Sequence, residues 1–481
     1  MDLRPVGFVL GLLIAALGGM MAFPLVLDLA AGNGHWPAFF EAGAITVLAG
    51  GVLALACANG AGRGLTLQQS FLLTTGAWVA LPLFGALPFM IGAPGASFTH
   101  AVFEAMSGLT TTGSTVFVGL DALPVGINLW RGILQWIGGL GIVIVALLFL
   151  PVMKVGGMQF FRAEGFDTLG KVLPRALDIS AGLIQIYVAL TLAIVVAYMA
   201  LGLSGFDAVM HAMTTVSTGG FSSYDASFAA FDTPVRYACV AGMFLASLPF
   251  IRYLQLLQGS ALPLWRDVQV RAYLRWTLYA IAIVWGWRVA AAGAPPLAAL
   301  HETVFNIVSI FSGTGFTSAD VSTWGAFPLV VAIAVGFIGG CTSSTACSVK
   351  VFRYLIVIEA IRTQLRRLIS PNMILAVRYD GRTVGEDVIN SVIAFFTMFV
   401  LSYGVLVVGL SMTGLSARSA LTAAWTAIAN IGPAYGPEVD AAGAFDDFPD
   451  SALWMMTFGM MVGRLELLSV YVLFTARFWA R

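Results

Sequence analysis

Four short segments of this 481-residue chain line up without gaps, and their recurrence limits the fold more than any other feature. They are Ala105-Met-Ser-Gly-Leu-Thr-Thr-Thr-Gly-Ser114, Ala212-Met-Thr-Thr-Val-Ser-Thr-Gly-Gly-Phe221, Ile307-Val-Ser-Ile-Phe-Ser-Gly-Thr-Gly-Phe316 and Ala424-Trp-Thr-Ala-Ile-Ala-Asn-Ile-Gly-Pro433. The only residue common to all four is the glycine near the end: Gly113, Gly220, Gly315 and Gly432. Upstream of it stand Thr110, Ser217, Ser312 and Ala429, and further back a small hydroxyl each time, at Ser107, Thr214, Ser309 and Thr426. Recurrence at about 100-residue spacing implies one structural unit used four times. A glycine that ends a short helix lets the chain leave with positive φ, so successive carbonyls point one way. Four such segments around an axis would gather carbonyl oxygens at one place, the design of a cation filter.

Composition places these segments in a bilayer. The chain is 59% hydrophobic and 10% charged, against about 25% charged in soluble domains. It reads as an all-α polytopic membrane protein. The formal net charge of zero offers nothing to nucleic acid. Cys57, Cys239, Cys341 and Cys347 make no paired metal spacing and read as buried small hydrophobes.

The apolar runs divide the chain. Residues 1–66 hold two N-terminal spans, at 6–31 (broken near Pro24) and 42–58, outside the fourfold pattern. The four units occupy 67–155, 156–262, 263–370 and 371–481. Each reads as span, half-helix, filter strand, span: 69–92, 99–110, 111–115 and 128–150; then 180–202, 206–217, 218–222 and 235–257; then 272–292, 298–312, 313–317 and 326–360; then 388–412, 417–429, 430–435 and 451–477. The half-helices are too short to cross a bilayer and must be re-entrant, shielded by protein. With both termini in the cytoplasm, ten spans place roughly 19 of the 24 Lys and Arg on the inner side, as the positive-inside rule expects. The filter loops then face out and carry Asp121, Asp207, Asp225, Asp320, Glu438 and Asp440, an acidic vestibule that would concentrate cations.

Two places break the apolar pattern. Gly339-Gly-Cys-Thr-Ser-Ser-Thr-Ala-Cys-Ser-Val-Lys350 is weak helix and good loop. Residues 339–349 read as an intramembrane loop below the filter, a candidate gate that includes Gly339, Gly340, Thr342, Ser343, Ser344 and Thr345. The alternative is a kinked helix with hydroxyls bonded back to carbonyls. Lys350 marks the inner exit or snorkels. In the last span, Arg464 could stand as a positive barrier in the pore, with Glu466 directed elsewhere; the alternative is a structural ion pair between helices.

With these residues in view, the chain resembles the TrkH family of bacterial Trk potassium uptake systems, within the TrkH, KtrB and plant HKT superfamily. The resemblance rests on the four segments, Gln135-Trp-Ile-Gly-Gly-Leu-Gly141, Gly339-Gly340-Cys341, Asn430-Ile-Gly-Pro433 and Gly463-Arg-Leu-Glu466, and runs from about residue 69 to the end. It implies four membrane–pore-loop–membrane repeats in pseudo-fourfold symmetry around one pore, in the bacterial inner membrane. It also implies a homodimer and a cytoplasmic TrkA-like regulator that binds NAD(H) or ATP/ADP. K⁺ would be the transported ion, with no organic cofactor in this chain. The K⁺ filter would comprise Thr110, Thr111, Thr112, Gly113; Ser217, Thr218, Gly219, Gly220; Ser312, Gly313, Thr314, Gly315; and Ala429, Asn430, Ile431, Gly432. The 339–349 loop would gate, and Arg464 would line the pore.

Two departures matter. The family loop is usually glycine-rich after its Ser-Thr, whereas Ser344-Thr345 is followed here by Ala346-Cys347-Ser348. The fourth segment is the least polar, so fourfold symmetry is approximate. With one shared glycine per segment, we expect fewer ordered ion sites and poorer rejection of Na⁺ than in a filter of four identical strands. A symporter coupled to H⁺ or Na⁺ is the second reading, and its signature would be midplane carboxylates; only Glu104 and Glu466 qualify. A membrane enzyme has no supporting His/Asp/Ser constellation: His35, His100, His211 and His301 all fall on the outer side. The basic faces around 162–175 and 353–382 are docking surfaces for a partner, or inner-leaflet anchors.

Overall fold

A computed structural model describes residues 1–62, 65–148, 157–158, 172–373 and 375–480. Lys154, Arg162 and Lys171, and with them most of the basic face at 162–175, lie outside the described residues. Among the described residues the regular structure is helical, apart from a small antiparallel hairpin that pairs Arg378–Tyr379 with Arg382–Thr383. Among the described residues, six helices are long and apolar enough to cross a membrane, or eight if each of two bent pairs is one span.

The first two helices, Arg4–Met20 and Trp36–Ala56, cross in close contact. A Cβ on Gly11 would meet the Ala54 nitrogen at 2.5 Å and the Gly50 carbonyl at 2.7 Å, so only glycine lets the backbones touch. The break in the first span falls at Met21, and the chain resumes as a helix over Ala22–Ala31. Buried Asp28 there accepts from Gly126 N at 2.8 Å and from Asn33 Nδ2 at 2.7 Å, and contacts His35 Nδ1 at 2.8 Å. His35 Nε2 in turn accepts from Ala93 N at 2.8 Å. This polar knot ties the extra helices to the first unit.

Within the units, the short helices run Phe98–Leu109, Gly205–Val216, Pro296–Ser312 and Ala417–Ala429. Ser97, Ser204 and Ser416 cap three of them through side-chain oxygens, as small hydroxyls do at a helix start. The remaining one, in the third unit, starts on Pro295-Pro296, where a missing N–H costs nothing. The long helices that precede the short ones are Leu67–Gly85, Val172–Ala200, Val268–Ala290 and Glu386–Met412.

The closing helix of the first unit is Val125–Leu148. In the other three units the closing span is broken. The stretch 235–257, expected as one span, is two helices, Thr233–Ala246 and Phe250–Leu257, bent by 91° at Ser247-Leu-Pro249. Pro249 has no N–H for a continuing helix and disfavours helical backbone before it. The stretch 451–477 breaks likewise, between Asp450–Arg464 and Leu468–Phe474, bent by 105°. Glu466 and Leu467 take positive φ of 61° and 31° at that corner. In the third unit the helices Ala326–Gly336 and Val351–Ile369 flank a non-helical stretch, a loop rather than a kinked helix.

Candidate functional site: a ring of four segments over an intramembrane loop

The four glycine segments meet. A Cβ added to Gly113 would strike the carbonyl oxygen of Gly219, one on Gly220 that of Thr314, and one on Gly315 that of Ile431. One on Gly432 would approach the Thr112 carbonyl at 2.8 Å. Each glycine thus faces the residue that precedes the next glycine, and the fourth segment returns to the first. The segments form a closed ring in chain order.

Each segment has the same backbone logic. The shared glycines have φ of 86°, 80°, 85° and 102°. Two residues earlier, Thr111, Thr218, Gly313 and Asn430 are also left-handed, at 51°, 50°, 77° and 53°. Residues of positive φ therefore alternate with residues of negative φ, which aims successive carbonyls to one side. The recurring small hydroxyl positions anchor the turn through their carbonyls. Ser107 O accepts from Thr112 N at 2.9 Å, Thr214 O from Gly219 N at 2.9 Å, Ser309 O from Thr314 N at 2.9 Å and Thr426 O from Ile431 N at 3.3 Å.

Side chains bind the ring together. The hydroxyls of Thr110 and Thr112 lie 2.7 Å apart, as do those of Ser312 and Thr314. Asn430 Nδ2 donates to Thr112 Oγ1 at 2.8 Å, and Ser114 Oγ to the Gly432 carbonyl at 2.9 Å, joining the first and fourth segments. Ala429, the apolar member of its set, is fully buried.

Downstream of each glycine, the short helix reaches across to hold the outgoing strand. Glu104 accepts from Val116 N at 3.0 Å and pairs with Arg131 at 2.8 Å. Asn306 Oδ1 accepts from Ser318 N at 3.2 Å, and Thr422 Oγ1 from Tyr435 N at 3.0 Å. His211 Nε2 lies 3.0 Å from Ser222 Oγ. Sequence reading placed Glu104 and His211 on these helices without seeing that they do one job at near-equivalent positions.

Gln135 is a further residue that sequence reasoning missed as part of the site. It is fully buried, donates from Nε2 to the Gly219 carbonyl at 2.6 Å and accepts from Phe221 N at 3.0 Å. Its amide pairs with the second segment as a neighbouring strand would. The signal was a glutamine amid apolar residues in a closing helix, since a buried amide needs both kinds of partner.

Outside the ring, a cavity of about 360 Å³ is lined by Asp225, Asp320 and Asp440 together with Pro433 and Ala434 just beyond the fourth glycine. Beside it, Glu438 accepts from Ser416 and Ser419 at the start of the fourth short helix. These bonds, Ser419's foremost, hold its carboxyl below the usual range.

Below the ring lies the loop between Gly336 and Val351. It packs into the break of the second unit: Cys341 N donates to the Ser247 carbonyl at 3.0 Å, Thr345 Oγ1 to Ala246 O at 3.0 Å, and Phe250 N to Ser343 O at 2.9 Å. Thr342 N donates to Gln269 Oε1 at 2.9 Å, and Ser344 Oγ to Cys341 O at 2.7 Å. Gly339 has φ of 75°, and a Cβ on Gly340 would collide with Ala346. Lys350 does not snorkel outward; it is buried and donates back to Ala346 O at 3.2 Å. From the fourth unit, Arg464 donates through Nη1 to Thr345 O at 3.2 Å and to Cys347 Sγ. Glu466 turns away from Arg464 and pairs with Arg353 of the third unit. Three broken closing helices therefore converge beneath the ring.

Comparisons with known proteins agree with this geometry. The chain matches the family TrkH, described as cation transport protein, over residues 35–480. It is 40% identical to the Trk system potassium uptake protein TrkI of Halomonas elongata, covering 99% of this chain and 96% of that one. It is 34% identical to the Trk system potassium uptake protein TrkH of Escherichia coli K12, covering 100% of each. The crystal structure of the potassium transporter TrkH from Vibrio parahaemolyticus superposes with a TM-score of 0.91 at 30% identity, covering 100% of each chain. With its ring and its length both accounted for, the chain belongs to the TrkH family of membrane cation transport proteins.

Proposed function

We propose that this protein takes up potassium across the cytoplasmic membrane through a gated, channel-like pore whose filter is the ring of four glycine segments. The closed ring carries the reading: alternating left-handed backbone supplies carbonyl oxygens in place of an ion's hydration shell. The names of its relatives support potassium as the ion. The short helices direct the negative ends of their dipoles toward the ring, and the acidic outer cavity raises local cation concentration. The loop at 339–349 closes the path from below, and Arg464 adds a positive barrier there. A homodimer, a TrkA-like nucleotide-binding regulator on the inner face and cytoplasmic termini complete the proposal.

A channel is favoured over a coupled symporter by one observation. Both carboxylates near the required depth are committed to arginines, Glu104 to Arg131 and Glu466 to Arg353. Neither is free to load and release a proton or Na⁺ in a transport cycle. Flux into liposomes that hold purified protein, with K⁺, Rb⁺ and Na⁺ compared under no pH gradient, tests this. Downhill K⁺ and Rb⁺ uptake that outruns Na⁺ is expected. Uptake that appears only with an imposed proton or sodium gradient would establish the symporter instead.

A further inference from the structure

Beneath the ring, several observations converge on one sulfur. Cys347 Sγ lies 3.6 Å from Thr111 Oγ1 of the first segment. Its backbone nitrogen is 3.3 Å from where a Cβ on Gly313 of the third segment would sit. Cys347 thus abuts the inner end of the ring at two of its four quarters. Arg464 reaches the same sulfur through Nη1. That arginine is 4% exposed, and its Nε and Nη2 have no acceptor in the protein. Ser348 Oγ is buried and unpartnered as well. A cavity of about 20 Å³ opens among Ala346, Cys347, Ser348, Lys350 and Arg464, room for about one oxygen-sized guest. Buried donors that lack acceptors are costly, and here they surround a thiol with one atom's worth of space beside it.

We propose that Cys347 is a redox modification site, oxidised by a peroxide to the sulfenate, whose added oxygen is received by Arg464 and Ser348. In the reaction the thiolate sulfur attacks one peroxide oxygen. An S–O bond forms and the O–O bond breaks; hydroxide leaves and takes up a proton to become water. The sulfur loses two electrons, and the peroxide gains them. The new oxygen accepts the N–H groups that have no other acceptor, and hydrogen bonds from a guanidinium to a charged oxygen are about twice as strong as neutral ones. The product ties the 339–349 loop to the last unit's helix directly under the ring, so oxidation holds the path shut. A reducing thiol removes the oxygen and restores the loop. The effect on transport rests on the reading of this loop as the gate; the chemistry at sulfur does not.

The test uses full-length protein in liposomes, treated with hydrogen peroxide and divided in two. One part is unfolded in the presence of dimedone and its adducts are mapped by mass spectrometry; in the other, kept free of dimedone, K⁺ flux is measured before peroxide, after it, and after dithiothreitol. The expected result is a dimedone adduct on Cys347, loss of most of the initial K⁺ rate, and its recovery with dithiothreitol. In Cys347→Ala and Cys347→Gly, which keep Cys57, Cys239 and Cys341, the peroxide-to-untreated rate ratio should stay near one. An adduct confined to the other cysteines overturns the proposal, and so does the same peroxide loss in both variants. An adduct on Cys347 with unchanged flux overturns the gating reading and leaves the modification site standing. If no cation flux is seen in any state, the transport reading falls, while the adduct map still decides the chemistry.

Discussion

At the scale of single residues, the ring leaves almost no freedom. Gly315→Ala would force a Cβ against the Ile431 carbonyl while holding a φ of 85°, a region that side chains other than glycine rarely adopt. We expect this variant to lose its preference for K⁺ over Na⁺, read as the ratio of initial uptake rates; an unchanged ratio would remove Gly315 from the filter. Gln135→Leu keeps the bulk but leaves the Gly219 carbonyl and Phe221 N–H without partners. Each buried orphan costs about 1–3 kcal/mol, so the thermal midpoint in detergent should fall clearly, and a midpoint equal to the parent's would contradict the pairing. The shared glycine was legible in the sequence because nothing else fits its backbone. The left-handed residue two positions earlier was not, since Thr111 and Thr218 carry no local sign of positive φ. Their conformation is imposed by the ring rather than by propensity. Gln135 and Arg131 were likewise out of reach, because their partners lie in distant parts of the chain.

At the scale of elements, the short helices were readable within a residue or two from the fourfold recurrence and its terminal glycine. The broken closing helices were only partly so. The third unit announced its loop through Gly339-Gly340 and a polar run, whereas the second hid its corner behind Pro249 alone. The fourth hid its corner in Leu465-Glu466-Leu467, good helix formers by propensity, where Glu466 pairs with Arg353 of the third unit. The fourth short helix also carries a pH prediction. Glu438 has a carboxyl pKa lowered from 4.5 in the folded protein, first by Ser419 and then by Ser416. A lowered folded value stabilises the protein above the ordinary carboxylate range, and that contribution is lost as pH falls through the lowered value. Glu438→Gln should therefore lower the thermal midpoint at pH 7, and the gap from the parent should shrink as the pH drops below 4.5. A gap that stays constant with pH would show that the serine contacts do not hold the charge.

At the scale of the whole molecule, sequence threading gives ten spans, while among the described residues length and apolarity alone pick out six helices, or eight with the bent pairs joined. The difference comes from particular elements. Val268–Ala290 carries Arg271, Arg275 and Arg288, and the third unit's closing span is split by its loop. Arg271 and Arg275 sit exposed in the first turns of that helix, whereas Arg288 is buried against Glu302 and Thr303. The proposed threading, with the termini inside, would put the hairpin turn at Asp380 on the cytoplasmic side and Ala441 on the outer side. In a Cys57→Ser background, an impermeant maleimide added to intact cells should label Ala441→Cys and spare Asp380→Cys until the membrane is opened. The reverse pattern would invert the threading.

The bond from Asn430 to Thr112 spans 318 positions of the chain. During synthesis, then, the first segment leaves the ribosome long before the stretch that completes its surroundings. Glycine backbones and threonine hydroxyls of the earlier units must wait in or near the bilayer with their fourth neighbour still unmade. Closure of the ring is thus a late event, and a chain cut short before Gly432 yields inserted helices whose ring lacks its fourth quarter.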